Sequence, residues 1–142
     1  MDIERVIDIA APQERVWAIM ADVERWPEWT RSVKSVERLD RGPFGVGSRA
    51  RVRQPRFPPA IWTVTALEPG RSFEWRSPAP GLLSVGGHRV AAVGEHASRV
   101  TLSLSWSGPL APVMRLLFGT LSRRYVQMEA QGLKRRSEGS RA

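Results

Sequence analysis

The sequence predicts an α+β domain in which a curved antiparallel sheet of seven strands packs against one long C-terminal helix. The helix is indicated between about residues 109 and 136, where apolar residues recur at steps of three, four and seven. These residues are Leu110, Val113, Met114, Leu117, Leu121, Tyr125 and Met128. The sheet is indicated upstream by short segments of alternating apolar and polar residues separated by Gly and Pro clusters. Because such a helix is on the order of 40 Å long, its apolar face needs an extended partner, and we expect a pocket between the two layers.

The first strand is expected at residues 2–10 and ends before Pro12. A proline suits the first turn of a helix, because its missing N–H would have no helical partner there. We therefore expect a short amphipathic helix after Pro12, then a second short helical turn capped by Asp22 and ending at Trp26, since Pro27 disfavours continuation. Six further strands are expected at about 32–39, 48–54, 60–68, 71–77, 84–94 and 98–107.

The segment 68–71 has the pattern of a type II turn, with Pro69 at its second and Gly70 at its third position. A hairpin closed by this turn pairs Ala66 with Phe73, Val64 with Trp75, and Trp62 with Ser77. One face of the hairpin then becomes apolar and aromatic and the other polar, which supports this register.

The turn near Glu95 permits two registers. A two-residue loop places Arg89, Ala91 and Val93 inside, and a three-residue loop places His88, Val90 and Ala92 inside. The strand that follows alternates cleanly, with Val100, Leu102, Leu104 and Trp106 on one face. The sequence leaves the direction of His88 and Arg89 open.

Length and composition indicate one domain without disulfide bonds or metal sites. The chain has 142 residues, no cysteine and two histidines, His88 and His96, neither of which has metal-ligand spacing. We therefore expect no metal and no cofactor. No signal peptide and no membrane-spanning run is visible, so we expect a cytoplasmic protein.

The formal net charge of +8 suggests a nucleic-acid partner, but its distribution argues against one. The 22 basic residues include only two lysines, and the arginines are spread along the chain. The densest short run is Arg49, Arg51 and Arg53, which would share one face of a strand. We interpret this face as solvated in preference to an anion-binding stripe, and expect no nucleic-acid partner.

Several local strings are similar to those of a known family. They are Ile-Ala-Ala-Pro-Gln-Glu-Arg-Val-Trp-Ala-Ile-Met at 9–20, Asp-Val-Glu-Arg-Trp-Pro-Glu-Trp at 22–29, Val-Lys-Ser-Val-Glu at 33–37, Gly-Val-Gly-Ser-Arg at 45–49, Thr-Val-Thr-Ala-Leu-Glu-Pro-Gly-Arg-Ser-Phe-Glu-Trp at 63–75 and Gly-Pro-Leu-Ala-Pro at 108–112. Together they resemble the polyketide cyclase/dehydrase family of the START-like (SRPBCC) superfamily. The resemblance implies a helix-grip fold, one START-like domain over residues 1–136, and a deep, largely apolar cavity. Residues 137–142 are small and polar, and we expect them to form a disordered tail.

A cavity of roughly 300–1,000 Å³ is expected. The residues expected to line it and to bind ligand are Trp29 near the mouth, Trp62, Val64, Phe73, Trp75, His88, Leu102, Leu104, Trp106, Leu117, Leu121 and Tyr125. Arg89 and Gln54 are further polar candidates.

The expected function is binding of a small hydrophobic molecule that is lipid-, polyketide- or isoprenoid-like, without catalysis and with no catalytic residue assigned. The first alternative is a polyketide cyclase or aromatase in which His88 and Arg89 or Tyr125 anchor the substrate. The second is an interaction module with a vestigial cavity. An inward His88 beside a second polar cavity group would favour the enzyme, and a dry, closed interior would favour the module. Both a monomer and a homodimer are compatible with the sequence.

Overall fold

The computed structural model describes residues 2–139 as a seven-stranded antiparallel sheet with helices packed on one face. The elements are β1 (Ile3–Ile9), α1 (Gln13–Ala21), a 3₁₀ helix (Val23–Glu28), β2 (Ser35–Arg38), β3 (Arg49–Arg53), β4 (Ala60–Glu68), β5 (Ser72–Ala79), β6 (Leu82–Gly94), β7 (Ala97–Ser107) and α2 (Ala111–Gly139). The predicted fold class, with every predicted strand and both short helices, is confirmed.

The strand order is β1-β7-β6-β5-β4-β3-β2, so the first two strands of the chain lie at opposite edges of the sheet. α1 and the 3₁₀ helix therefore have to cross one face of the sheet to connect these edges. The Pro12 carbonyl accepts the first α-helical hydrogen bond of α1 from the Val16 N–H at 3.2 Å, as expected for a proline at a helix start.

The 3₁₀ helix differs in two details from its prediction. The Asp22 side chain makes no capping hydrogen bond, because its carboxylate lies instead 3.4 Å from the Arg25 guanidinium. The helix also continues past Pro27 to Glu28. A proline removes only one N–H donor from so short a helix, and the Trp29 N–H still donates to the Trp26 carbonyl at 3.0 Å.

The β4–β5 hairpin closes at the predicted turn. The Arg71 N–H donates to the Glu68 carbonyl at 2.9 Å, and Gly70 has the positive φ of +79° that a type II turn requires at that position. The predicted pair of Val64 and Trp75 is confirmed. The predicted pair of Ala66 and Phe73 is wrong, because a bulge between Val64 and Ala66 shifts the register and places Leu67 opposite Phe73.

The β6–β7 turn combines features of both predicted registers. Gly94 pairs with Ala97, which leaves a two-residue loop, but a bulge at Val93 then restores the opposite alternation. His88 and Val90 consequently face inward, with exposed fractions of 7% and 1%. Arg89 is exposed on the outer face.

On β3 the predicted face assignment is confirmed. Arg49 and Arg53 are exposed, whereas Ala50 and Val52 between them are buried. Arg51 is half-buried, and its guanidinium pairs with the Glu37 carboxylate at 3.0 Å.

Helix α2 packs most closely against β1, β7 and α1. It ends at Gly139, three residues beyond the predicted end, and the Ser137 carbonyl accepts a hydrogen bond from Arg15 Nε at 2.6 Å. Residues 137–139 are thus helical rather than part of a tail, and the rest of the predicted tail, 140–142, lies outside the described residues. Within residues 2–139 no helix is both long and apolar enough to cross a membrane.

Candidate functional site

A cavity of about 220 Å³ lies between the sheet and α2. Its volume is below the expected range. Its wall is built mainly from β3–β7, the loop before β4 and α2, and it includes Val52, Gln54, Phe57, Pro58, Ala60, Trp62, Trp75, Ser77, Leu82, Ser84, Gly86, His88, Leu102, Leu104, Trp106, Met114, Ser122, Tyr125, Val126 and Glu129. The rim contains the less buried members of this set, among them Pro58 and Phe57. The wall is largely apolar and aromatic.

The structure brings most of the predicted lining residues to this wall. Those placed there are Trp62, Trp75, His88, Leu102, Leu104, Trp106 and Tyr125, together with the polar candidate Gln54. The strands contribute six of these because period-two alternation directs every second side chain of β4–β7 to one face of the sheet.

Five predicted lining residues and the polar candidate Arg89 lie elsewhere. Val64 and Phe73 are each 1% exposed but belong to the packed core beside the cavity. Trp29 is buried against the backbone of Gly132 at the far end of α2.

Leu117 is 65% exposed. Neither it nor Leu121 lines the cavity, because the helical face turned to the sheet is the adjacent one carrying Ser122, Tyr125 and Val126. Arg89 points to the outer side of the sheet.

Gly86 allows two indole rings to form one side of the cavity. A Cβ added at Gly86 would lie 3.0 Å from Trp75 Nε1 and 3.6 Å from Trp62 Cζ3. The two rings pack at 5.6 Å between centroids with an angle of 34°. Any side chain at this position would displace the indoles, so the glycine sets the shape of the wall.

His88 is held in an aromatic box at the inner end of the cavity. Its ring stacks on Phe73 with 4.2 Å between centroids and an angle of 7°. Trp75 presents its ring edge-on at 5.7 Å, and Trp26 lies at 5.4 Å. Nδ1 of His88 is buried and has no hydrogen-bond partner of ordinary geometry. These rings fix the orientation of the imidazole.

Glu129 of α2 faces the same point and was missed by the sequence analysis. Its Oε2 lies 3.6 Å from His88 Nε2. The signal that could have found it is its position one helical turn after Tyr125, since residues four apart share a helix face. Because Tyr125 was expected on the cavity wall, this spacing also places Glu129 near that wall. His88 and Glu129 are therefore the side chains of the cavity wall best placed for acid–base chemistry.

Burial keeps both members of this pair uncharged at neutral pH. Desolvation lowers the pKa of His88 from 6.5 to about 4, with the Phe73 backbone opposing part of this effect. Desolvation also raises the pKa of Glu129 from 4.5 to about 8. The separation of 3.6 Å is too long for a hydrogen bond. A neutral imidazole and a neutral carboxylic acid therefore both retain hydrogen-bonding capacity toward a third group.

Tyr125, the third polar candidate, has another partner. Its hydroxyl donates to the Pro55 carbonyl at 2.5 Å. The ring of Phe57 packs against Tyr125 and Phe118 with centroids at 5.8 and 5.3 Å. Tyr125 thus ties the loop before β4 to α2 at the cavity rim. Among residues 2–139 no group of three His, Cys, Asp or Glu side chains is arranged to hold a metal ion.

Comparison with known proteins agrees with this architecture. The sequence matches the family model described as polyketide cyclase/dehydrase and lipid transport over residues 1–138. No curated protein matches the sequence significantly.

Similar solved structures share the fold at low sequence identity. A protein from Thermus thermophilus has 22% identity and a TM-score of 0.77, and the match covers 99% of each chain. The Zhui aromatase/cyclase from a Streptomyces species has 18% identity and a TM-score of 0.73, with 99% of this chain and 97% of that chain covered. A START superfamily protein from Mycobacterium smegmatis has 18% identity and a TM-score of 0.70, with 95% of each chain covered.

The family match confirms the resemblance to the polyketide cyclase/dehydrase family, and the similar structures confirm the helix-grip architecture. With a family match that spans nearly all of its length, the chain belongs to the polyketide cyclase/dehydrase and lipid transport family.

Proposed function

We propose that this protein binds a small, uncharged, mostly apolar molecule in its cavity, with one polar atom of the ligand directed at His88 and Glu129. The observation that carries this proposal is a largely apolar, aromatic wall with the polar pair His88 and Glu129 at its inner end. Ligand sites commonly combine such walls with a few convergent polar groups.

The volume limits the size of the ligand. An engineered cavity of about 150 Å³ accommodates benzene, so about 220 Å³ suits one or two rings unless the rim opens. The polar pair limits its charge, because a buried anion or cation would have no compensating charge beside neutral His88 and Glu129. A ligand oxygen could accept a hydrogen bond from the Glu129 carboxylic acid while His88 Nε2 accepts one from a hydroxyl.

The test is calorimetric titration at neutral pH with three probes of one shape. We expect 1-naphthol to bind more tightly than naphthalene by about five-fold, since one hydrogen bond contributes about 1 kcal/mol. We expect 1-naphthoate, which is anionic, to bind most weakly. Equal affinities for the three probes would contradict the assigned polar end.

A blocking variant tests whether the cavity is the site. Ser122 is 3% exposed and lines the cavity, whereas Thr120 on the same helix is exposed. Ser122→Phe should abolish naphthol binding, and Thr120→Phe should leave it unchanged, with both folds checked by circular dichroism. Binding that survives Ser122→Phe would move the site elsewhere on the protein.

A cyclase- or dehydratase-type reaction is the second candidate, and the His88–Glu129 contact favours it. An inward His88 beside a second polar group is the arrangement expected to favour the enzyme. The Zhui protein, which has this fold, is an aromatase/cyclase. In a β-hydroxyketone, His88 Nε2 could take the proton on the carbon next to the carbonyl as that C–H bond breaks. Its electrons would form the C=C bond, and the hydroxyl would leave as water with the proton of Glu129. Return of the proton from His88 to Glu129 over 3.6 Å would close the cycle.

This candidate is tested with 4-hydroxy-4-phenylbutan-2-one, a β-hydroxyketone of suitable size, by following formation of the conjugated enone. An enzyme should turn it over, and His88→Gln and Glu129→Gln should each reduce the rate by at least roughly 100-fold while naphthol still binds. Binding of naphthol without any enone formation would support the carrier.

A further inference from the structure

The first half of α2 exposes a row of large apolar side chains. Leu116 is 84% exposed, Leu117 65%, and Val113 and Leu110 48% each. Leu110, the residue directly before α2, Val113 and Leu117 follow steps of three and four, so they form one stripe along the start of the helix, with Leu116 beside it. Clusters of exposed apolar side chains on a protein surface mark interaction sites.

Basic side chains continue the same faces of the helix. Arg123 and Arg124 lie seven residues after Leu116 and Leu117, which is two turns, or roughly 10 Å, further on. Both are exposed, and neither forms an ion pair with an acidic side chain within residues 2–139. Arg56 is also exposed, next to Phe57, whose ring packs on Phe118. An apolar stripe is thus adjacent to three exposed cations.

We propose that this surface, formed by Leu110, Val113, Leu116, Leu117 and the neighbouring Arg56, Arg123 and Arg124, docks onto an anionic phospholipid membrane. The leucines would enter the boundary between headgroups and acyl chains, and the arginines would contact lipid phosphates. Charge complementarity favours this partner over a second copy of the chain, because each copy carries a formal net charge of +8 and an interface between two such surfaces would bring arginines together.

The docking surface lies next to the rim of the cavity. Met114, which lines the cavity, follows Val113 in the chain, and Phe118, which follows Leu117, contacts Phe57 on the rim. A membrane bound to the docking surface would therefore lie beside the rim, where an apolar ligand could pass between bilayer and cavity. The docking itself is measured without any ligand, so its outcome is independent of the proposed binding function.

The experiment is cosedimentation of the full chain with vesicles of phosphatidylcholine alone and of phosphatidylcholine mixed with phosphatidylglycerol, at low and high salt. We expect binding to the anionic vesicles that weakens with salt, and at least roughly ten-fold weaker partitioning onto phosphatidylcholine alone. Leu116→Ser/Leu117→Ser should lower the partition coefficient by at least roughly ten-fold. Its matched control is Val46→Ser, which alters a 67% exposed apolar side chain in the loop between β2 and β3, outside the docking surface, and should leave binding unchanged.

Two double arginine variants distinguish an effect of the docking surface from an effect of the total charge of the protein. Arg123→Gln/Arg124→Gln should weaken binding by about five-fold for each arginine. Arg49→Gln/Arg53→Gln removes the same charge from the outer face of the sheet and should have a much smaller effect. The proposal is overturned if the two pairs act equally, if the leucine variant binds like the wild type, or if sedimentation reveals a dimer that the leucine variant abolishes.

Discussion

The half of α2 that is richer in large apolar residues carries the more exposed apolar side chains. The first half, residues 111–121, carries most of the large apolar residues of the helix, yet Leu116 and Leu117 are among the most exposed apolar side chains in the described protein. The second half, residues 122–139, buries Ala130, Gly132 and Ser137 completely or nearly so. The partner surface, and not the hydrophobicity of the helix, decides which half is buried.

The second half is buried because small residues allow close approach. A Cβ added at Gly132 would overlap the Trp29 carbonyl oxygen. Leu133, next to it, is 1% exposed within the main core. In the first half Ala111 and Met114 also pack against the sheet, but the outward face of the helix has no covering surface within residues 2–139. Close packing therefore anchors the second half, and the outer face of the first half is free for contacts with other molecules.

The largest expected effect is a comparison of two leucines on α2. Leu133→Ala should lower the free energy of unfolding by about 2–5 kcal/mol, because it removes a fully buried side chain and leaves a cavity. Leu117→Ala should change it by less than about 0.5 kcal/mol, since this side chain is 65% exposed. Urea denaturation of both variants measures the difference, and similar losses for the two would show that the first half is also packed.

Gly132→Ala tests the close approach itself. The methyl group would meet backbone that cannot rotate away, so we expect a loss of about 1–3 kcal/mol, or more if α2 must move. The helix propensity of alanine acts in the opposite direction by about 1 kcal/mol. A variant as stable as the wild type in urea denaturation would mean that Trp29 and α2 separate easily, which would remove the structural reason for the anchored half.

Glu129 lies on the second half where it faces the cavity, and it should make stability depend on pH. Its pKa is raised by burial to about 8, so the folded state holds a proton that the unfolded state releases above about 4.5. Stability from this group is therefore greatest below pH 4.5 and falls as the pH rises toward 8. His88, whose pKa is lowered to about 4, acts in the opposite direction, but only between pH 4 and 6.5.

Between pH 6.5 and 8, Glu129 changes the folding stability with pH and His88 does not. The wild type should lose on the order of 1–2 kcal/mol across this interval, and Glu129→Gln should lose much less. Glu74→Gln, which alters a carboxyl on the outer face, is the control and should behave like the wild type. A constant difference between wild type and Glu129→Gln from about pH 5 to 9 would show that Glu129 is already ionised in the folded protein.

The sheet could be predicted from the sequence because alternation has a period of two and its turns have specific residue types. Gly70 and Pro69 located the β4–β5 turn correctly. The bulges at Thr65 and Val93 could not be predicted, since each depends on the neighbouring strands and not on its own residue. The second bulge decides that His88 faces the cavity, so the direction of the most important polar residue depended on a tertiary feature.

The helix was predicted in extent but not in orientation. The buried face was predicted from the largest apolar residues, such as Leu117. The face that lines the cavity is the adjacent one, which carries Ser122 and Glu129. Hydrophobic periodicity identifies a face, but it does not say whether the protein or another molecule covers that face. For the same reason Glu129 was not recognised as part of the candidate site, although its spacing from Tyr125 was visible.

The smallest expected effect has the opposite sign and concerns Gly119 in the first half. A glycine inside a helix costs about 1 kcal/mol relative to alanine, and apart from the adjacent backbone of α2 no atom lies within 4 Å of a Cβ added at Gly119. Its φ is not in the left-handed region. Gly119→Ala should therefore stabilise the protein by roughly 0.5–1 kcal/mol, seen as a rise in Tm, whereas the same substitution at Gly132 destabilises it. If Gly119→Ala lowered Tm instead, the first half of α2 would be as tightly packed as the second, and the exposed surface beside it would be less free to dock than its geometry indicates.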